Sequence, residues 1–127
     1  MINKKDIEKQ EKLKIVNKII IEISSRGRNF FNGKLGKAEL YIKKGRIYYI
    51  SEYNGKHICL SIPDYRSPKN WHHGGTLLAL CKEFRNYIQR KEKIGYERSG
   101  LYCTHWGYSE DDMQAIQNLA KELGYLI

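Results

Sequence analysis

Apolar residues recur at helical spacing in three stretches of this chain and alternate with polar ones in a fourth. Leu13, Val16, Ile19, Ile20 and Ile23 fall on one face and predict a helix over about 6–24. Asn3 or Asp6 is placed to cap its start, and Ser24-Ser25-Arg26-Gly27-Arg28 ends it. Leu77, Leu80, Cys81, Phe84 and Ile88 predict a second buried stripe over 76–91. Met113, Ile116, Ala120 and Leu123 predict a third over 110–123. That helix opens on Ser109-Glu110-Asp111-Asp112, a capping box with Asp in place of Glu, and ends at Gly124.

Alternation marks 38–43, 46–53 and 57–62, separated by Lys44-Gly45 and Asn54-Gly55. Asn-Gly is a strong hairpin signal, because a type I′ turn needs positive φ at both central residues. The pattern therefore predicts a three-stranded antiparallel meander, with Phe30 and Phe31 opening a fourth strand. Two-residue turns would set Leu40 opposite Tyr49, Ile42 opposite Ile47, Tyr49 opposite Leu60, Ile47 opposite Ile62 and Tyr53 opposite Lys56. One face then gathers Ala38, Leu40, Ile42, Ile47, Tyr49, Ile58, Leu60 and Ile62 as a core. The other gathers Glu39, Tyr41, Lys43, Arg46, Tyr48, Ile50, Glu52, His57, Cys59 and Ser61. Residues 101–107 read as a short strand or extended loop, and Tyr125-Leu126-Ile127 as a return to the sheet.

These elements give an α+β fold: an antiparallel meander of three to four strands, packed on one face by about three helices. One domain over 1–127 is expected, with the N-terminal helix about 6–24, the meander about 28–62, an irregular loop 63–75, and the two C-terminal helices.

Charge sharpens this picture. The chain has a net charge of +9, and it is unevenly spread. Residues 26–70 carry ten Lys and Arg against three acids, whereas 99–127 carry one Lys against four acids. The basic stretch also holds Tyr41, Tyr48, Tyr49, Tyr53 and Tyr65. Cations interleaved with flat rings suit a polyanion that carries bases. No apolar run approaches the length of a bilayer span, no secretory signal follows the Lys-rich start, and three widely spaced cysteines fit a reducing compartment. A cytoplasmic protein without a membrane partner is the expectation.

Phosphate contacts are assigned to Arg26, Arg28, Lys34, Lys37, Lys43, Lys44, Arg46, Lys56, Arg66 and Lys69, and stacking to Tyr41, Tyr48 and Trp71. A second anion site is expected where Gly74, Gly75 and Thr76 lead into a helix N-terminus. His57 with Cys59, and Cys103 with His105, are two i, i+2 pairs that would form a zinc site if their strands were neighbours; buried thiols and surface histidines are the simpler reading. A cross-strand pair of His57 with Glu52 is the simplest role for that histidine. No cofactor and no catalytic residue is assigned. The alternatives are a small metal-dependent nuclease or hydrolase using His57, His72, His73 and His105, and a protein-interaction module, in the form of a homodimer, whose charge serves solubility.

Several segments resemble small proteins encoded by bacteriophages and mobile elements. They are Ser24-Ser25-Arg26-Gly27-Arg28-Asn29-Phe30-Phe31, Lys44-Gly45-Arg46-Ile47-Tyr48-Tyr49-Ile50, Tyr53-Asn54-Gly55-Lys56, and Gly74-Gly75-Thr76-Leu77 running into Phe84-Arg85-Asn86-Tyr87-Ile88. The resemblance implies a cytosolic accessory protein made during infection or transfer, and carries over no functional residue. Such proteins often inhibit host machinery, including defence nucleases guided by nucleic acid. The expected partner is therefore nucleic acid or a host nucleoprotein, in the manner of an anti-CRISPR protein.

Overall fold

Helix α1 (Lys4–Ser24) buries Leu13, Val16, Ile19, Ile20 and Ile23, the stripe its periodicity predicts. It ends where the hydroxyls of Ser24 and Ser25 both donate back to the Ile21 carbonyl, at 2.9 and 2.7 Å. These local bonds compete with continued helix. The computed structural model describes residues 4–26, 30–33, 36–51, 55–60, 76–90, 99–102 and 108–126.

Two small antiparallel sheets follow. The first pairs β1 (Asn32–Gly33) with β2 (Gly36–Lys37). The second has the order β3 (Glu39–Lys43), β4 (Arg46–Ile50), β5 (His57–Cys59). Phe30 and Phe31 do not form a fourth strand of the meander. Phe31 takes a left-handed φ of 59° and drives its ring fully into the core, 6.3 Å from each of the rings of Tyr49 and Phe84. A non-glycine in that region is strained, and the buried ring offsets the strain.

Lys44 and Gly45 have φ of 51° and 76°, the type I′ geometry expected of the first hairpin. Leu40 accordingly pairs with Tyr49 and Ile42 with Ile47. The second hairpin differs from expectation by two residues: Tyr49 pairs with Ile58, and His57 with Ile50 rather than Glu52. Its last rung is Ser51 N–H donating to the Lys56 carbonyl at 2.9 Å, in the same shifted register; Tyr53, the predicted partner of Lys56, lies outside the described residues. A shift of two preserves which side each residue faces. Leu40, Ile47, Tyr49, Ile58 and Leu60 are buried as predicted; Ile42 is only half-buried.

Helix α2 (Thr76–Arg90) packs on α1 and buries Leu80, Cys81, Phe84, Tyr87 and Ile88. A 3₁₀ turn at Gly100–Tyr102 stands at the start of the segment predicted as a strand or loop. Helix α3 (Glu110–Glu122) is capped by Ser109, whose hydroxyl accepts from Asp112 N–H at 3.1 Å. It closes in a Schellman motif: Tyr125 N–H bonds Ala120 O at 2.8 Å, Gly124 N–H bonds Lys121 O at 3.1 Å, and Gly124 has φ 86°. Tyr125 and Leu126 return into the core, Leu126 through an isolated β-bridge.

Candidate nucleic-acid interface

The outer face of the three-stranded sheet brings together seven of the residues selected from sequence. Tyr41 on β3 lies opposite Tyr48 on β4, and their rings stack at 5.1 Å with 12° between planes. The Tyr41 hydroxyl and His57 Nδ1 are 2.6 Å apart and share a hydrogen bond that crosses β4. Cys59 lies opposite Tyr48 on β5. Two rungs towards the turn, and so on the same face, Lys43 lies directly opposite Arg46, and Lys44 occupies the turn itself.

Like charges directly opposite each other destabilise a strand pair. Among the described residues, Lys43, Lys44 and Arg46 are exposed and have no ion-pair partner. The tyrosines, Ile50 and Cys59 are half-buried, and His57 is exposed. The face is therefore a small aromatic platform with a concentrated positive edge. A phosphate between Lys43 and Arg46 would relieve their repulsion, and a base could lie against the rings.

The remaining candidates fare differently. Arg26 is held by two carboxylates: Nη1 contacts Asp112 Oδ1 at 3.1 Å, and Nε lies 3.3 Å from Glu22 Oε1 without an aligned hydrogen bond. The Asp112 bond is the chief cause holding its pKa above the ordinary arginine value. The pair ties the end of α1 to the start of α3. Lys37 donates to Ser25 Oγ at 3.2 Å, and Lys56 sits at the far end of β5 from the Lys43–Arg46 rung. Thr76 is the first residue of α2, as expected. Arg28, Lys34, Arg66, Lys69, Trp71, His72, His73, Gly74, Gly75, Cys103 and His105 lie outside the described residues. Among the described residues, no cluster of three or more His, Cys, Asp or Glu could hold a metal.

A family model described as YoqU matches residues 3–127. The chain belongs to the YoqU family. A relative from Bacillus subtilis strain 168, "SPbeta prophage-derived uncharacterized protein YoqU", is 26% identical over 126 residues, covering 99% of this chain and 88% of the relative. The resemblance to bacteriophage and mobile-element proteins thus meets a relative of prophage origin. No solved structure matches. Among the described residues of this YoqU-family chain, no helix is long and apolar enough to cross a membrane.

A second polar centre escaped the sequence reading. Glu83 on α2 accepts from Gly100 N–H at 2.6 Å, from Ser99 Oγ at 2.8 Å and from the Tyr125 hydroxyl. Burial raises the Glu83 pKa, against the lowering effect of these three donors. Burial, reinforced by Glu83, keeps Tyr125 protonated well past the usual phenol range. Tyr108, which donates to Ile23 O at 3.0 Å, is pushed up to about 12, chiefly by burial. Glu83 and its three donors staple α2, the 3₁₀ turn and the segment after α3 together, while Tyr108 ties the start of α3 to the end of α1. Nothing local in the sequence signals them, since Glu83 and Tyr125 are 42 positions apart.

Proposed function

We propose that this chain is a non-enzymatic binding protein that engages nucleic acid, free or within a host nucleoprotein, through the outer face of its three-stranded sheet. Lys43, Lys44 and Arg46 take the phosphates, and Tyr41 and Tyr48 present the ring surface for a base. The observation that carries the reading is the Lys43–Arg46 rung. Charge needed only for solubility can be scattered, whereas two cations set face to face weaken the hairpin by roughly 0.2–1 kcal/mol and concentrate a field at one edge.

The prophage origin of the relative supports a setting in infection or transfer. In that setting the protein acts on host machinery, and its most concrete form is an inhibitor of a nucleic-acid-guided defence complex. A non-enzymatic binder of this kind needs occupancy alone, which a basic aromatic platform supplies.

The test is a double charge reversal, Lys43→Glu with Arg46→Glu, read by binding of a fluorescent oligonucleotide of about 20 nucleotides. Both positions are exposed, so the fold should survive, as far-UV circular dichroism would verify. Binding should fall to background. Undiminished binding by the folded double variant would place the interface elsewhere.

A further inference from the structure

The hairpin tip has a second side. Opposite the sheet's outer face, the Lys44-Gly45 turn overhangs the first turns of α1 and encloses an open groove of about 310 Å³, lined by Asp6, Lys9, Gln10, Ile42, Lys44 and Gly45. This groove explains why Ile42 is only half-buried despite its place on the core face. Lys44 belongs to both surfaces, so the positive edge of the sheet continues over the tip towards Lys9 on α1.

Its lining is not that of a simple phosphate cradle. Asp6 would repel a bare phosphodiester backbone, and Ile42 gives it an apolar wall. Carboxylate, amide, apolar wall and two ammonium groups together match one unpaired nucleotide: phosphate on Lys9 and Lys44, ring or sugar against Ile42, and hydroxyl or exocyclic amino groups donating to Asp6 and Gln10. The volume lies at the small end of the range for small-ligand sites, which suits a single nucleotide unit. A base pair cannot enter such a groove, and in a duplex the Watson–Crick edge that an unpaired base would offer to Asp6 and Gln10 is taken by the partner strand.

We infer that the groove between the hairpin tip and α1 takes one nucleotide of a single strand, so that the protein selects single-stranded over double-stranded nucleic acid. This rests on the nucleic-acid reading of the adjoining sheet face. The strand would run from the Tyr41–Tyr48 platform past the Lys43–Arg46 rung and over the turn into the groove.

The experiment compares a 20-nucleotide single strand with its own duplex, for wild type, Lys9→Glu and Lys44→Asn, at one fixed salt concentration. Asn tolerates the positive φ at position 44, so that variant removes the charge while keeping the turn. Wild type should prefer the single strand by about tenfold or more, the weight of one unpaired nucleotide held by stacking and hydrogen bonds. Each variant should weaken single-strand binding by about five- to tenfold, the loss of one phosphate contact, and Lys9→Glu should leave duplex binding nearly unchanged. Equal binding of strand and duplex, or a Lys9→Glu variant that binds the strand like wild type, overturns the groove assignment while leaving the sheet face intact. Failure of wild type to bind either form overturns the sheet-face reading as well.

Discussion

Asn17 holds Leu40 by two reciprocal hydrogen bonds: its Nδ2 donates to the Leu40 carbonyl at 2.9 Å, and its Oδ1 accepts from the Leu40 N–H at 2.9 Å. β3 is an edge strand, and Leu40 turns both its backbone groups away from β4. One side-chain amide on α1 therefore stands in for the missing neighbouring strand. It blunts an edge that would otherwise be open to pairing with another chain, and it fixes the helix against the sheet that bears the proposed binding face. Asn17→Ala should lower stability by about 2 kcal/mol, two lost hydrogen bonds at about 1 kcal/mol each. Urea denaturation followed by circular dichroism measures it. Loss of only a few tenths would mean that water satisfies the edge equally well.

Gly124 tests the closing motif of α3. Its φ of 86° is a left-handed conformation, and a Cβ there would meet nothing within 4 Å. Gly124→Ala should therefore cost about 1 kcal/mol from backbone strain alone, and Gly124→Asn less. A midpoint shift in denaturant checks both.

Glu83 gives stability a definite pH dependence. Its folded pKa is raised, so the native state holds its proton more tightly than the unfolded chain does. The stabilisation it contributes is full below the unfolded glutamate value, near 4.5, and is lost as pH rises through the folded value. Glu83→Gln removes this ionisation. The stability difference between wild type and Glu83→Gln should shift against wild type as pH rises from 4 towards neutrality, in a set of denaturation curves. A pH-independent difference would contradict the assigned burial. Tyr125→Phe, which leaves Glu83 with two donors, should cost about 1–3 kcal/mol at neutral pH.

Arg26 separates charge that binds from charge that builds. Its guanidinium already contacts Asp112 and Glu22. Arg26→Gln should leave oligonucleotide affinity within about twofold of wild type, whereas Arg46→Gln should weaken it several-fold, the loss of one phosphate contact. Fluorescence anisotropy at matched salt compares them.

What the sequence revealed depended on how local each signal was. The three helices were legible because Val16, Ile19, Ile20 and Ile23, and their counterparts, repeat every three to four residues. The Lys44-Gly45 hairpin was legible because glycine in a two-residue turn fixes register. Asn54-Gly55 invited the same inference, but Tyr49 pairs with Ile58 and Ser51 N–H bonds the Lys56 carbonyl, two residues off the register that a two-residue turn would set. The faces survived that error because the slip was even. The Tyr41–Tyr48 and Lys43–Arg46 pairs followed from the first register alone. Asn17, Glu83 and the Lys9 groove did not, since each acts through a partner at least 23 positions away or on another element. Arg26 looked like surface charge for the same reason: its Asp112 partner lies 86 positions on.

The central claim is that the cations of the hairpin tip hold nucleic-acid phosphates, and a salt titration tests it most directly. With the three cations of the hairpin tip alone on a single strand, log affinity against log salt should have a slope of about −2 or steeper, so that binding weakens at least about twenty-fold between 50 and 200 mM salt. The Lys43→Glu, Arg46→Glu variant should lose that slope together with its affinity. Binding that is equally strong at both salt concentrations, or absent from wild type at 50 mM, would contradict the account.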